Sequence, residues 1–560
     1  MGLSSPSEGL AGFEQASSSR SLSAIVGSFV FLAAFLSFLV QPLAARYLLP
    51  SFGGGSSVWT ICLVFFQVTL TLGYAYAHFV ARVVPIAHQQ WLHAGLLILS
   101  TAAIPIMSGT SVAASHDEDP ALQLLWFLFK HLGLPFLLLC GTSPLVQSWY
   151  ARVKGGATYQ LYGLSNLGSL LGLLAYPFVL EPLLGLAEQR VLWSAFYVAL
   201  VLVSVACWRA FAGIRLDRPV AESAPSESPL LTPKFARLMW LLIPACASIL
   251  MLAISSRITQ DIAPVPLLWV LPIGLYLLAF ALAFSDRPGL GRGVWIGLSG
   301  ASLMASIYVM QLEQAGDGPE LLVRLAAHMS PVFFVSRALF GELFRLRPPT
   351  NRLTSYYLVI SIGGALGGMF VGLVAPQIFL GYWELPIAYC MSTVLIALCV
   401  LAGSEPDVVS RRPFSILGWV AALAFIEISL LEHTQEEMDG ALMTRRGFYG
   451  VLSIYESRED DSHKFTLYHG NICHGVQFFD AENVGEPTTY YSRESGVGLA
   501  RIIHEPRGKR PRIGSCWHFA DTCPRRRPCK VVEDASICKV PAGTNRPAVP
   551  VVRGVWSACS

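Results

Sequence analysis

Residues 24–40 read Ala24-Ile-Val-Gly-Ser-Phe-Val-Phe-Leu-Ala-Ala-Phe-Leu-Ser-Phe-Leu-Val40. The run carries no charge, and a helix of that length rises about 25 Å, close to the hydrocarbon thickness of a bilayer. A secretory signal cut near Ala44 or Ala45 is the alternative reading. The run is long for such a signal and other apolar runs follow it, so it reads as a retained first span.

Working outward, comparable stretches lie near Val58 to Val80, Trp91 to Met107, Leu122 to Val146, Leu161 to Leu180 and Val191 to Cys207. A polar linker, Arg209 to Arg237, carries Asp217, Glu222, Glu227 and several prolines. A second series follows near Leu238 to Ile254, Val265 to Phe284, Val294 to Met310, Leu321 to Phe344, Thr354 to Leu380 and Leu385 to Ala402, with a thirteenth candidate at Phe414 to Leu431. The expected architecture is an all-α polytopic membrane bundle of about twelve or thirteen helices, its main partner the lipid bilayer.

Composition agrees. Of 560 residues 54% are hydrophobic and only 13% charged, with a mean hydropathy of +0.54. A soluble domain could not hide that much apolar surface. The formal charge of +3 gives no electrostatic footprint for nucleic acid. The cysteines of the membrane part show no pairing pattern and read as small buried hydrophobes.

Lys and Arg are retained on the cytoplasmic side of a bilayer. With alternating spans, sixteen of them fall on the side of the N-terminus, from Arg20 and Arg82 through Lys154 and Arg237 to Arg412, whereas Arg46, Arg190 and Arg257 fall on the other. The N-terminus is therefore expected in the cytoplasm.

The two series resemble each other. Tyr162, Gly168 and Gly172 recur as Tyr357, Gly363 and Gly367 at a constant offset of 195, and Arg46 and Trp59 recur as Arg257 and Trp269 at 211 and 210. This six-plus-six pseudo-repeat is the plan of major facilitator transporters, which bind substrate between halves near the midplane. The expected divisions are an irregular tail at 1–22, a first repeat at 23–207, a linker at 208–237, a second repeat with the extra helix at 238–431, a β segment at 432–514 and a tail at 515–560.

Within Ser361-Ile-Gly-Gly-Ala-Leu-Gly-Gly368, Gly363 shares a helical face with Gly367, and Gly364 with Gly368; close helix packing is the expected use. Gly53-Gly54-Gly55 reads as a loop at a helix entry. Charges in spans cost about 2.5–3.5 kcal/mol at the midplane and need partners. Arg257 and Asp261, four residues apart, are expected to pair at the interface, and Glu181 beside Pro182 ends the fifth span. The other use of Arg46, Glu181, Arg257 and Asp261 is substrate or proton coupling. Lys130 with His131 and Arg337 with Glu342 read as snorkelling groups.

After Glu432 the chain turns polar. Phe448-Tyr-Gly-Val-Leu-Ser-Ile-Tyr455 alternates like a strand, and Lys464-Phe-Thr-Leu-Tyr-His-Gly470 follows a turn, which predicts a hairpin. Those strings, with His474-Gly-Val-Gln477 and Pro487-Thr-Thr-Tyr-Tyr491, resemble the start of the spermidine synthase-like part of bacterial fused membrane/spermidine synthase proteins. The membrane strings Gln41-Pro-Leu-Ala-Ala-Arg46, Phe65-Phe66-Gln67, Gly73-Tyr-Ala-Tyr-Ala-His78 and Pro264-Val-Pro-Leu-Leu-Trp269 resemble that family too.

The resemblance implies a bacterial inner-membrane protein linked to polyamine chemistry. Intact relatives move an aminopropyl group from decarboxylated S-adenosylmethionine to a diamine, which needs a carboxylate base. It places Gln477 and Tyr490 at substrate-contacting positions, while Tyr491 and Ser492 stand where the family has His and Glu. Arg510-Pro-Arg-Ile-Gly514 resembles the lead into a Rossmann-like domain, but neither the Gly-rich turn nor the acidic residue follows. Residues 515–560 hold five of the twelve cysteines, with His518, in no metal-ligand spacing. A zinc site and a disulfide knot are the lesser readings; the leading one is an out-of-frame tail, a truncated transferase domain, and a chain that needs no cofactor. The function expected is that of a fused-synthase relative lacking its complete catalytic part. The alternatives are a transporter of a polyamine or other small organic cation, and a non-catalytic anchor or partner platform.

Overall fold

A computed structural model describes residues 6–53, 56–104, 119–154, 159–211, 233–261, 268, 270–285, 290–315, 317–348, 352–402, 428, 440–448, 450–459, 462–470, 472–479, 488–492 and 494–495. The thirteenth apolar stretch, the polar linker, Gly54, Gly55, Trp269 and the tail at 515–560 lie outside them, as does Asp261 beyond its backbone.

Among the described residues twelve long helices form the body: α1 Pro6–Phe52, α2 Ser56–Val83, α3 Ile86–Ser100, α4 Pro120–Lys154, α5 Tyr159–Ala175, α6 Leu186–Phe211, α7 Pro233–Asp261, α8 Val270–Ala283, α9 Arg292–Gln314, α10 Leu321–Arg345, α11 Leu353–Met369 and α12 Glu384–Ala402. Among the described residues nine helices are long and apolar enough to cross a membrane, and α8 is a shorter apolar helix. The chain is thus a helical, multi-pass membrane protein. The helices overlap the expected apolar runs but several differ at their ends: α3 begins five residues before Trp91, α4 continues to Lys154 and α7 runs from Pro233 to Asp261. The largest difference is α1, which already begins at Pro6 within the stretch expected to be an irregular tail. Pro6 suits the first helical position, and Glu8, Leu10, Ala11, Glu14, Gln15 and Ala16 are good helix formers, which offsets the serines.

The helices divide into two sets with the same internal packing. In the first, α1 packs on α4, α5 and α6, α2 on α4, and α3 on α4 and α6; in the second, α7 packs on α10, α11 and α12, α8 on α10, and α9 on α10 and α12. Each lead helix therefore runs through the centre of its own half. A Cβ at Gly168 or Gly172 of α5 would overlap the carbonyl oxygens of Phe31 and Phe35 on α1, and one at Gly363 or Gly367 of α11 would overlap those of Leu241 and Ala245 on α7. The contact partners are again offset by 210, so the repeat extends to backbone contacts. Only glycine permits such an approach.

Two further features repeat. Both α5 and α11 continue through a π turn, Tyr176–Leu180 and Phe370–Val374, into a short proline-containing helix, Glu181–Leu183 and Ala375–Ile378. Both halves also join their third and sixth helices by a buried hydroxyl pair, Ser100–Tyr197 at 2.6 Å and Ser306–Tyr389 at 2.7 Å.

Gly364 departs from expectation. Gly368, one turn on, meets Gln67 of α2, but a Cβ at Gly364 would meet nothing within 4 Å. The membrane cysteines Cys62, Cys140, Cys207, Cys246 and Cys399 are buried and unpaired with one another.

The C-terminal piece is a four-stranded antiparallel sheet in the order β1 Ala441–Gly447, β2 Gly450–Glu459, β3 Ser462–His469, β4 Ile472–Phe478. The expected hairpin is its centre, with Leu452 opposite His469 and Glu459 opposite Ser462. Two strands were not expected. β1, Ala-Leu-Met-Thr-Arg-Arg-Gly, has no clean alternation and bulges between Ala441 and Met443, while β4 skips a partner at His474. Bulges of this kind break the period-two pattern by which strands are read. Gly470, at φ +58°, makes the tight β3–β4 turn.

Candidate functional site

Odd-numbered helices start on one face of the bundle, here the near face, and end on the far face. The near face carries the basic connections. The far face gathers Arg46, Glu181 and Arg257, and it separates them by half.

In the first half Arg46, near the end of α1, is ion-paired with Glu181, which follows the π turn of α5. Glu181 thus has its charge matched from another helix rather than lying open to a cation. Its second carboxylate oxygen and the Tyr176 hydroxyl are buried without a hydrogen-bond partner among the described residues. Gln189 caps the same helix end, donating to the carbonyls of Leu180 and Leu184.

In the second half the repeat mate of Arg46 is Arg257, and the side chain of Asp261, its expected partner, lies outside the described residues. Arg257 lies 3.8 Å from Glu313 at the end of α9, which also accepts from Arg324 Nε at 2.6 Å and sits 3.3 Å from His328 Nε2. His328 Nδ1 lies 3.1 Å from the Ser306 hydroxyl of the repeated Ser–Tyr pair. Sequence reasoning missed Glu313 because its partners come from α7 and α10, and helical spacing reveals only neighbours on the same helix. Among the described residues the node brings Arg257 and Arg324 to the Glu313 carboxylate.

The halves meet along α2 against α11 and α7, and α5 against α8. Hydrogen bonds that span the α2 side include Gln67 Nε2 to Ser248 Oγ at 2.8 Å, Thr71 Oγ1 to the Ser361 carbonyl at 2.9 Å, and His78 Nδ1 with Thr354 Oγ1 at 3.1 Å. Gly368 and Gly372 let α2 approach at Gln67 and Val64. No ion pair crosses this seam among the described residues. On the near face Glu342 is bound by Arg292, at 2.6 and 2.8 Å, not by Arg337. Lys130 is exposed, and the His131 ring lies against Phe127 at 4.4 Å.

The sheet docks on the far face of the second half. Arg446 of β1 donates to the Gly381 carbonyl at 2.6 Å, pairs with both oxygens of Glu384 at the first residue of α12, and stacks 4.6 Å over Tyr382. Gln477 lies in β4 opposite Phe465. Tyr490 sits in a turn that folds back on the same strand, its ring 6.2 Å from His474, while Thr488 hydrogen-bonds Val476 and Thr489 donates to the His474 carbonyl. Thr489 has φ +52°, a strained conformation for a β-branched residue. Burial lowers the His474 pKa. Hydrogen bonds from Arg458 and His463 hold the exposed Glu456 carboxyl below its usual range. Among the described residues no three His, Cys, Asp or Glu come together as metal ligands.

No known family's sequence profile matches the chain. No curated protein matches it. Among solved structures it is similar to the partially occluded inward-open xylose transporter XylE from E. coli, at 11% identity and a TM-score of 0.45, covering 69% of this chain and 99% of that one. It is similar also to a POT family transporter in complex with 5-aminolevulinic acid, at 10% and 0.42, covering 67% and 94%. A mutant of the peptide transporter POT gives 14% and 0.46, covering 69% and 95%.

Proposed function

We propose that the chain is a membrane transporter of a small solute, working by movement of its two halves against each other. The observation that carries this is the contrast between contacts within a half and contacts across the seam. Within each half, helices are locked by glycine-to-carbonyl packing and by ion pairs. Across the seam Gly368 and Gly372 meet side chains of α2 rather than its carbonyls, and the polar contacts are separate hydrogen bonds, each replaceable by water at a net cost of about 1 kcal/mol. A pair of rigid, equivalent bodies with a separable seam is what alternating access requires. An inert anchor has no need of it.

The finer reading is a polyamine or other small organic cation. The acidic candidates for recognising it are Glu181, which is engaged by Arg46, and Asp261. Uptake by proteoliposomes tests both levels, with putrescine, spermidine, a sugar, a dipeptide and an organic acid offered in turn. Saturable uptake of any of them supports transport. Polyamine uptake unchanged by Asp261→Asn removes Asp261 from the proposal, and no uptake of the panel counts against transport.

The second reading, a fused-synthase relative, is favoured by the antiparallel sheet over the strings that resemble that family and by the fold-back of Tyr490 onto β4. It expects no aminopropyl transfer from this chain alone, because the residues that would cradle decarboxylated S-adenosylmethionine are missing. Spermidine formed from that donor and putrescine by the purified protein would overturn this expectation.

A further inference from the structure

Arg337 is a cation within α10 whose charge no described residue matches. Its guanidinium lies 4.6 Å over the Trp295 ring of α9, and neither its Nε nor the Trp295 indole nitrogen has a hydrogen-bond partner among the described residues. Glu342, the carboxylate nearest in sequence, is held by Arg292 on another side of the helix. A ring face stabilises a desolvated guanidinium only in part. That does not replace a counter-ion in hydrocarbon.

The depth of the group indicates what supplies the missing charge. Trp295 is three residues into α9 from its near-face start at Arg292, and Arg337 is eight residues before the near-face end of α10 at Arg345. The arginine runs toward that end: its Nη1 lies 3.0 Å from where a Cβ on Gly341 would stand, so the absent side chain leaves the channel open. At about 1.5 Å per residue, the guanidinium lies roughly 5–6 Å inside the near-face helix ends. A cation at that depth in a spanning helix reaches the headgroup region of a leaflet, and Leu290 and Val294, at the start of α9, are exposed apolar residues.

We propose that the Arg337 guanidinium, backed by Trp295 in the groove between α9 and α10, binds the phosphate of an anionic membrane lipid of the near-face leaflet. The planar guanidinium presents its free Nη donors to two phosphate oxygens. The site is independent of the transport reading.

Native mass spectrometry of the full chain with dioleoyl phosphatidylglycerol tests it. The wild type is expected to retain one more lipid than Arg337→Leu, or to bind that lipid about tenfold more tightly. Arg337→Lys, which keeps the charge but loses the stacked fork, is expected to fall between them. Each variant is first compared with wild type by gel filtration; if Arg337→Leu is misfolded, the Lys comparison alone decides. Equal lipid retention in wild type and the folded variants would overturn the site. Displacement of the lipid by millimolar inorganic phosphate would overturn its assignment to a lipid.

Discussion

Arg446 of the C-terminal sheet and Glu384 at the first residue of α12 form a buried ion pair, their side chains 7% and 3% exposed. The pair fastens the sheet to the second half, on the far face, with Gly381 and Tyr382 completing the socket. Removing one partner of a buried pair leaves a charge without compensation, at about 3–5 kcal/mol. Glu384→Ala is therefore expected to release the sheet: limited proteolysis should cut near residue 440 while the helical body stays intact. Arg446→Leu with Glu384→Leu should recover part of the resistance. An unchanged digestion pattern in Glu384→Ala would refute the docking.

The same contact fixes sidedness. Helix α12 runs about 27 Å from Glu384 to Ala402, so it ends on the near face while the sheet lies on the far face. The sequence between them holds the apolar run Phe414 to Leu431, long enough for a further crossing. A cysteine at Leu442 should react with an impermeant maleimide from the same side as one at Leu183, and from the side opposite one at Val83. Labelling of positions 442 and 83 from one side would contradict this arrangement. If the basic near face is cytoplasmic, the sheet lies away from cytosolic metabolites, which weighs against a cytosolic transferase.

The repeated glycines make a paired prediction. Gly172→Ala and Gly367→Ala each push a methyl onto a backbone carbonyl of the lead helix, and such overpacking costs about 1–3 kcal/mol. Each should lower the melting temperature in detergent by several degrees. Gly364→Ala, with open space around it, should leave the melting temperature within error. Equal effects of Gly364→Ala and Gly367→Ala would remove the contact-based distinction.

What sequence made legible follows from which interactions are local. Apolar runs set the spans because every residue in lipid contributes to the same signal, and the offset of 195 between Gly168 and Gly363 was visible because only glycine fits there. Glu313 was invisible because its three partners lie on α7 and α10 and its own helix gives no clue to them. The Ser100–Tyr197 and Ser306–Tyr389 pairs were hidden for the same reason: serine and tyrosine are common in spans, and only the packing of third against sixth helix selects these. The outer strands failed because bulges at Leu442 and His474 disturb alternation.

The most direct test of two halves moving against each other is a pair of distance measurements by double electron–electron resonance, in a background with the native cysteines replaced. Spin labels at positions 83 and 290 report the near-face separation of the halves, and labels at 183 and 322 the far-face separation; all four side chains are exposed. The account predicts that both distributions are broad or bimodal and shift in opposite senses as conditions change. A single narrow distance at each end, unaffected by any candidate solute, would contradict it.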